Sequence, residues 1–290
     1  MTTKEKIKAY YSLTKPGVLY GNVITSVAGY LLATQRHFDV WLFLALVIGT
    51  TLVIGSACVI NNFLDQDIDK LMERTKKRAI VSGEIPGRNA VIFGTTIGVL
   101  GLAILILWTN WLVVAIGVVG FIDYVVLYGM LSKRMSIHGT LVGSISGAMP
   151  ILAGYCAVTG TIDAGAILVF VILFLWQMPE FYSIAVFRQK EYKKAGVPVI
   201  SVVKGIMHTK FEILLYTIAF VIATLLLSFY GVTGVTYAVI MGVLGVYWIW
   251  LGIKGLTATD DNKWARKMFH FSLNMLLVFS FLISIDTWLP

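Results

Sequence analysis

Nine apolar blocks, 17–34, 41–62, 89–108, 111–130, 137–157, 163–185, 211–229, 233–254 and 268–288, each approach the ~20 residues that a helix needs to cross roughly 30 Å of hydrocarbon. In that solvent every backbone amide must find its partner inside the protein, and a helix satisfies this within one segment. The expected fold is therefore all-α, a polytopic membrane protein with about nine transmembrane helices. Composition agrees: 13% charged residues and a mean hydropathy of +0.84 exclude a soluble globular enzyme, which carries roughly 25% charge, and a disordered chain.

Charge orients the helices. If they alternate in direction, the N-terminal segment, the 63–88 loop, Lys133 and Arg134, the 186–210 segment and the 254–267 loop share one side and hold all but Arg36 of the 23 Lys and Arg. By the positive-inside rule this side is cytoplasmic, with the N-terminus there and the C-terminus outside. The net charge of +8 is then a topology signal and not a sign of nucleic acid binding. The N-terminal segment has neither a signal-peptide cleavage pattern nor a transit signal, so the expected location is a bacterial plasma (inner) membrane with the first span retained. Cys58 and Cys156, far apart within apolar segments, read as packing residues, and Gly139, Gly143 and Gly147 as a helix-packing stripe.

The long charged connections lie on the cytoplasmic side, where function is expected. After the second span, Asn61, Asp65 and Asp69 recur at i, i+4 and i+8 and share a helix face, while Asp67 points away. Oxygen ligands so close suit Mg2+, which keeps several waters and bridges carboxylates to a phosphate group. Arg74 and Arg78 follow, and Lys133 and Arg134 end the fourth span; these are clamps for a diphosphate. Two plainer readings stand beside this one: a solvated helix end whose acids offset nearby arginines, and a basic run that serves topology alone.

The sixth span ends in Trp176-Gln177-Met178-Pro179-Glu180, with Glu191 further on. Spans two and six are second in successive groups of four. This suggests two four-helix halves, about 1–134 and 135–254, plus an extra helix 268–288, around a cavity opening toward the cytoplasm. Glu180 and Glu191 are candidate second-half metal ligands, sharing a face only if the helix runs on about three turns past Pro179. A helix-end acid and a solvated ion pair are their respective alternatives. Tyr124 and Tyr128, also at i, i+4, either present aromatic faces to a passing carbocation or belong to an interfacial belt. Asp123 is deep and has no evident partner.

Through Asn61, Asp65 and Asp69, standing as NxxxDxxxD after the second span, the chain resembles the UbiA-type intramembrane prenyltransferases. Thr14-Lys15-Pro16, residues 69–83 around Arg74-Thr75 and Arg78, 128–154, Trp176-Gln177-Met178-Pro179 and 192–198 are similar to the haem-farnesylating branch of that family. Three positions depart from it: Ala79 stands where the branch has proline, Glu180 where it has histidine, and Glu191 where it has aspartate.

The resemblance implies transfer of the farnesyl group of farnesyl diphosphate to a vinyl group of haem b, with water supplying a hydroxyl. Mg2+ would sit on Asn61, Asp65 and Asp69 with Glu180 or Glu191, and haem b would be a substrate, not a resident cofactor. Asn61, Asp65, Asp69, Tyr128, Lys133 and Arg134 form the expected catalytic set, with Arg74, Arg78, Lys133 and Arg134 on the diphosphate. His138 and His208, near cytoplasmic helix ends, are the candidates to meet haem. The lipid bilayer and haem-pathway or terminal-oxidase assembly proteins are the implied partners, with no nucleic acid. Two rivals predict other patterns. A prenyltransferase acting on an aromatic or quinone precursor would carry a second motif closer to DxxxD, and an ion-coupled transporter would carry charges near the midplane.

Overall fold

The computed structural model describes residues 2–35 and 37–289; Arg36, the basic residue assigned to the outer side, lies outside the described residues. Among these residues there is no strand, and nine helices are long and apolar enough to cross a membrane.

A short helix precedes them. Helix α1 (Thr3–Leu13) is closed at its start by a capping box, in which the Thr2 hydroxyl accepts from the Glu5 N–H at 3.3 Å and the Glu5 carboxylate from the Thr2 N–H at 2.7 Å. At 11 residues it is too short and polar to register as an apolar block. The chain continues as α2 (Pro16–Thr34), α3 (Val40–Leu64), the single turn α4 (Gln66–Asp69), α5 (Gly87–Trp108) and α6 (Trp111–Ile122). Helix α6 widens into a π-helix over Asp123–Ser132 and closes as α7 (Lys133–Met135). Then come α8 (Gly139–Thr159), α9 (Ala164–Phe187), the short α10 (Gln189–Lys194) and α11 (Ile200–Val203), α12 (Ile206–Phe229), α13 (Val235–Leu256) and α14 (Asp261–Ile285).

Two spans begin earlier than hydropathy indicates, at Ile206 and Asp261 instead of 211 and 268. Their first turns are polar, but the charges satisfy one another. Lys210 is buried, with its ammonium 2.5 Å from the Asp261 carboxylate, and Asp260 caps α14 by accepting from the Lys263 N–H at 2.9 Å. Pairing of this kind is invisible to a scale that scores residues singly.

Helix α2 packs on α8, α8 on α9, α9 on α14, and α14 returns to α2, closing a ring. In each group of four spans the neighbours follow chain order: α2 with α3, α3 with α5, α5 with α6, and then α8 with α9, α9 with α12, α12 with α13. Small residues let the backbones approach: a Cβ on Gly29 would strike the Ile151 carbonyl, and one on Gly154 the Ser26 carbonyl, so α2 and α8 touch through paired glycines. The Gly139, Gly143 and Gly147 stripe also packs, Gly139 against the backbone of Ser132 and Lys133 and the other two against side chains. A Cβ at Gly143 would lie 2.8 Å from the Tyr128 ring, and Gly147 seats the Gln177 amide, which donates to the Ser144 and Leu173 carbonyls at 3.0 Å each. Cys58 and Cys156 are buried free thiols. Val99, Leu107, Val243 and Phe281 point outward as lipid-facing surface.

Candidate active site

Helix α3 ends at Leu64, yet the helical path hardly breaks. The Asp65 N–H still donates to the Asn61 carbonyl at 3.0 Å, and after one capping residue α4 carries the chain to Asp69, whose N–H donates to the Asp65 carbonyl at 2.8 Å. Asn61, Asp65 and Asp69 therefore stay on one face, and all three are buried. Asp67 points outward as the periodicity predicts. Its carboxylate takes both arms of Arg134, at 2.6 and 2.8 Å, and this fork holds its pKa at about 2.

Each residue of the buried trio has a cation on one of its oxygens. Lys133 Nζ donates to Asp65 Oδ2 at 2.5 Å, Arg78 pairs with Asp69, and Lys15 Nζ donates to Asn61 Oδ1 at 2.5 Å. Arg134 stands 3.8 Å from Asp65 Oδ1, an oxygen that is buried without a hydrogen-bond partner, as is Asn61 Nδ2. A set of oxygen donors with one oxygen still open fits a hard cation such as Mg2+, and the surrounding positive charge fits an anion arriving with it.

The π-helix brings the other wall. Its wide turns set the Tyr124 and Tyr128 rings 5.8 Å apart, and Lys133 Nζ lies 6.0 Å from the centre of Tyr128. Gly129 allows the close approach, since a Cβ there would lie 3.1 Å from Asn61 Nδ2. Asp123, at the start of the π-helix, finds the partner the sequence did not reveal: its Oδ2 accepts from the Ser146 N–H on α8 at 2.9 Å. Arg74 is exposed and within electrostatic reach of Tyr128 and Tyr192. Ile68 and Met72 pack against Val197, joining the loop after α3 to the segment after α9 and bringing Tyr192 to the site. Burial raises the Tyr192 pKa.

The second acidic pair is arranged differently. Helix α9 runs unbroken through Pro179 to Phe187, and after Arg188, whose N–H donates to the Ile184 carbonyl at 2.9 Å, α10 takes up the chain, so Glu180 and Glu191 lie on either side of a one-residue interruption. Glu180 is buried in α9, while Glu191 pairs with Arg188 at 2.9 Å. Among the described residues no three His, Cys, Asp or Glu side chains gather closely enough to hold a metal ion, so neither glutamate joins Asp65 and Asp69 in an acidic cluster. His138 caps α8 and is exposed, and His208 lies 3.5 Å from Glu212 on α12; neither takes part in the bonds of this site.

Sequence reasoning missed Lys15 and Tyr192. Counting basic residues by side absorbs Lys15 into the topology signal, although its place before Pro16 is a signal of its own. It stands in the left-handed region at φ 51°, which is uncommon for lysine, and this turn directs its ammonium to Asn61 and to the Tyr124 hydroxyl at 3.4 Å. The side chain is half-buried, and loss of solvation pushes its pKa down to about 8. A separate open groove of about 730 Å3 between α1 and α5, walled by Ile7, Tyr10, Ile92 and Phe93, contains none of these groups.

A model of the UbiA prenyltransferase family matches residues 22–275. The protoheme IX farnesyltransferase of Yersinia pseudotuberculosis serotype O:1b is 45% identical over 280 residues, covering 97% of this chain and 95% of the relative. A solved digeranylgeranylglyceryl phosphate synthase superposes with a TM-score of 0.82 at 19% identity, over 98% of this chain and 99% of that one. A UbiA homologue from Archaeoglobus fulgidus bound to GPP and Mg2+ gives 0.69 at 15% identity, over 95% and 99%.

Proposed function

The chain belongs to the UbiA prenyltransferase family, and from that premise we propose that it transfers the farnesyl group of farnesyl diphosphate to a vinyl group of haem b, with hydroxylation from water, releasing diphosphate and haem O. The observation that carries the acceptor is the 45% identity, over nearly the whole length of both chains, to a protoheme IX farnesyltransferase. The donor has independent support from the trio of oxygen-bearing residues ringed by cations.

In this reading the farnesyl C–O bond breaks with its electron pair leaving on diphosphate, the vinyl π-electrons form the new C–C bond, and water adds to the resulting cation and releases a proton. Lys133, Arg134 and Arg78 shift from their carboxylates onto phosphate oxygens, and Arg74 closes from the exposed side. Tyr124 and Tyr128 present ring faces to the allylic cation and restrict water around it. Mg2+ would be held by Asn61, Asp65 and Asp69, with Glu180 or Glu191, and would supply Lewis-acid neutralisation of the diphosphate. His138 and His208 are the side chains proposed to meet haem. The two four-helix halves, 1–134 and 135–254, with the further helix 268–288, enclose the site from either side. The adjacency of spans repeated in each half supports this division. The protein then sits in a bacterial inner membrane with its N-terminus and its cavity on the cytoplasmic side, and farnesyl diphosphate, haem b and terminal-oxidase assembly proteins are its partners.

Purified protein in detergent, given haem b, farnesyl diphosphate and Mg2+, is expected to yield haem heavier by one hydroxyfarnesyl group, and EDTA is expected to stop the reaction. Diphosphate release only with an aromatic or quinone acceptor would discard haem and keep the transferase. No diphosphate chemistry in folded protein would discard both.

A further inference from the structure

Prenyl transfer makes no use of the groove between α1 and α5, yet its walls have a consistent chemistry. Thr3, Ile7, Tyr10, Tyr11 and Thr14 share one face of α1 and line it, while Ala9 and Leu13, on the opposite face, are buried against the rest of the protein. Ile7 is 66% exposed, so this short helix turns an apolar stripe away from the protein. Lys6 stands at the edge of the stripe, and Asn89 lines the wall formed by α5. Among the described residues Lys6 has no ion pair, because the Glu5 carboxylate beside it is occupied by the Thr2 N–H. The groove continues beyond α1. Ile92 also borders a second trough, of about 460 Å3, which follows α5 past Thr95, Thr96 and Val99 to Leu100. From Asn89 to Leu100 the path is about 16 Å at 1.5 Å per residue, the depth of one leaflet of a ~30 Å hydrocarbon core.

We propose that this groove seats one anionic phospholipid of the surrounding bilayer, with its phosphate on Lys6 and Asn89 and one acyl chain lying along α5. The depth selects a lipid chain, since the lower trough opens on the exposed, apolar surface of a membrane span. The charge selects an anionic headgroup, since α1 carries Lys4, Lys6 and Lys8 against Glu5 alone. The seat bears on the active site through the buried face of α1. Ala9 and Leu13 pack with Ala79 and Ile80, next to the Arg78 that pairs with Asp69. The Leu13 carbonyl also accepts from the side chain of Asn62, the neighbour of Asn61, at 2.8 Å. A lipid in the groove therefore clamps α1 onto the loop that carries Arg78, whichever acceptor is prenylated.

The test is native mass spectrometry of the purified full chain, released from a neutral detergent with dioleoylphosphatidylglycerol or dioleoylphosphatidylcholine added. The unmodified protein is expected to retain one phosphatidylglycerol, roughly 10-fold more tightly than phosphatidylcholine. A basic residue near an anionic headgroup is worth about fivefold in affinity, so Lys6→Glu is expected to weaken phosphatidylglycerol binding roughly 25-fold. Lys8→Glu makes the same change of charge on the same helix outside the groove, and about threefold or less is expected of it. Thr95→Trp fills the trough from an exposed position and is expected to weaken binding about 10-fold without disturbing the fold. Melting curves give a second readout: phosphatidylglycerol should raise the unfolding temperature of the unmodified protein and of Lys8→Glu, and not that of Lys6→Glu or Thr95→Trp. Equal losses in Lys6→Glu and Lys8→Glu would reduce the effect to general charge attraction and overturn the site. Equal retention of the two lipids overturns the headgroup contact, undiminished binding by Thr95→Trp overturns the chain's path, and no retained lipid overturns the whole inference.

Discussion

Asp65→Ala is expected to lower farnesyl diphosphate turnover by roughly 10^3-fold or more, the scale of losing one main electrostatic group from a site where charge develops. The side chain is 1% exposed, one oxygen accepts from Lys133 at 2.5 Å, and the other is open toward Arg134 at 3.8 Å. No neighbouring acid can replace it, because Asp67 is turned outward under Arg134 and Asp69 is engaged by Arg78. The substitution also leaves Lys133 without its anion. Breaking a fully buried pair costs about 3–5 kcal/mol, and less applies here because Lys133 keeps some access to water. The two effects separate experimentally. Adding Lys133→Met to the Asp65→Ala background should restore part of the thermal stability in detergent and none of the diphosphate release. Near-normal release by folded Asp65→Ala would end its assignment.

Gly154→Leu is expected to abolish recovery of folded protein, and Gly154→Ala to lower the unfolding temperature substantially. The atom in the way is the Ser26 carbonyl, part of the α2 backbone, so no rotamer change relieves the overlap and the helices must separate. The reciprocal contact of Gly29 with the Ile151 carbonyl lies on the same seam, and opening one opens the other. Because Lys15 adjoins the start of α2, separation there also withdraws an ammonium from the site. Gly21→Ala is the control, since a Cβ at that position on α2 meets nothing within 4 Å. Size-exclusion profiles and melting curves of the three variants decide the matter, and equal melting of Gly154→Ala and Gly21→Ala would refute the seam.

The nine spans were legible because hydrocarbon requires length and apolarity, and both can be read residue by residue. The polar starts of α12 and α14 were not, because Lys210 becomes acceptable inside only once Asp261 is known to face it. The trio of Asn61, Asp65 and Asp69 was legible because helix periodicity survives the small break at Asp65. Glu180 and Glu191 showed the limit of the same rule: periodicity does not say that Glu180 lies buried in α9 while Glu191, beyond the interruption at Arg188, pairs with that arginine. Lys15 was hidden for a different reason. Its role comes from a left-handed turn and a partner 46 positions away, and counting basic residues by side erases both facts.

The π-helix has a genetic consequence. Residues 123–132 wind more broadly than an α-helix, and losing a single codon from this stretch lets the remaining residues adopt ordinary i to i+4 bonding. The lost residue and the tighter winding together change the angle at which everything downstream leaves the span. Lys133 and Arg134 swing off Asp65 and Asp67, and the Tyr128 ring leaves its seat at Gly143. A scan of one-residue deletions here is expected to yield proteins that turn over no substrate and melt below the parent, because buried Asp65 loses Lys133. In this protein the number of residues between Asp123 and Lys133 is therefore set by the site they serve, whereas the outer loops bear no such count.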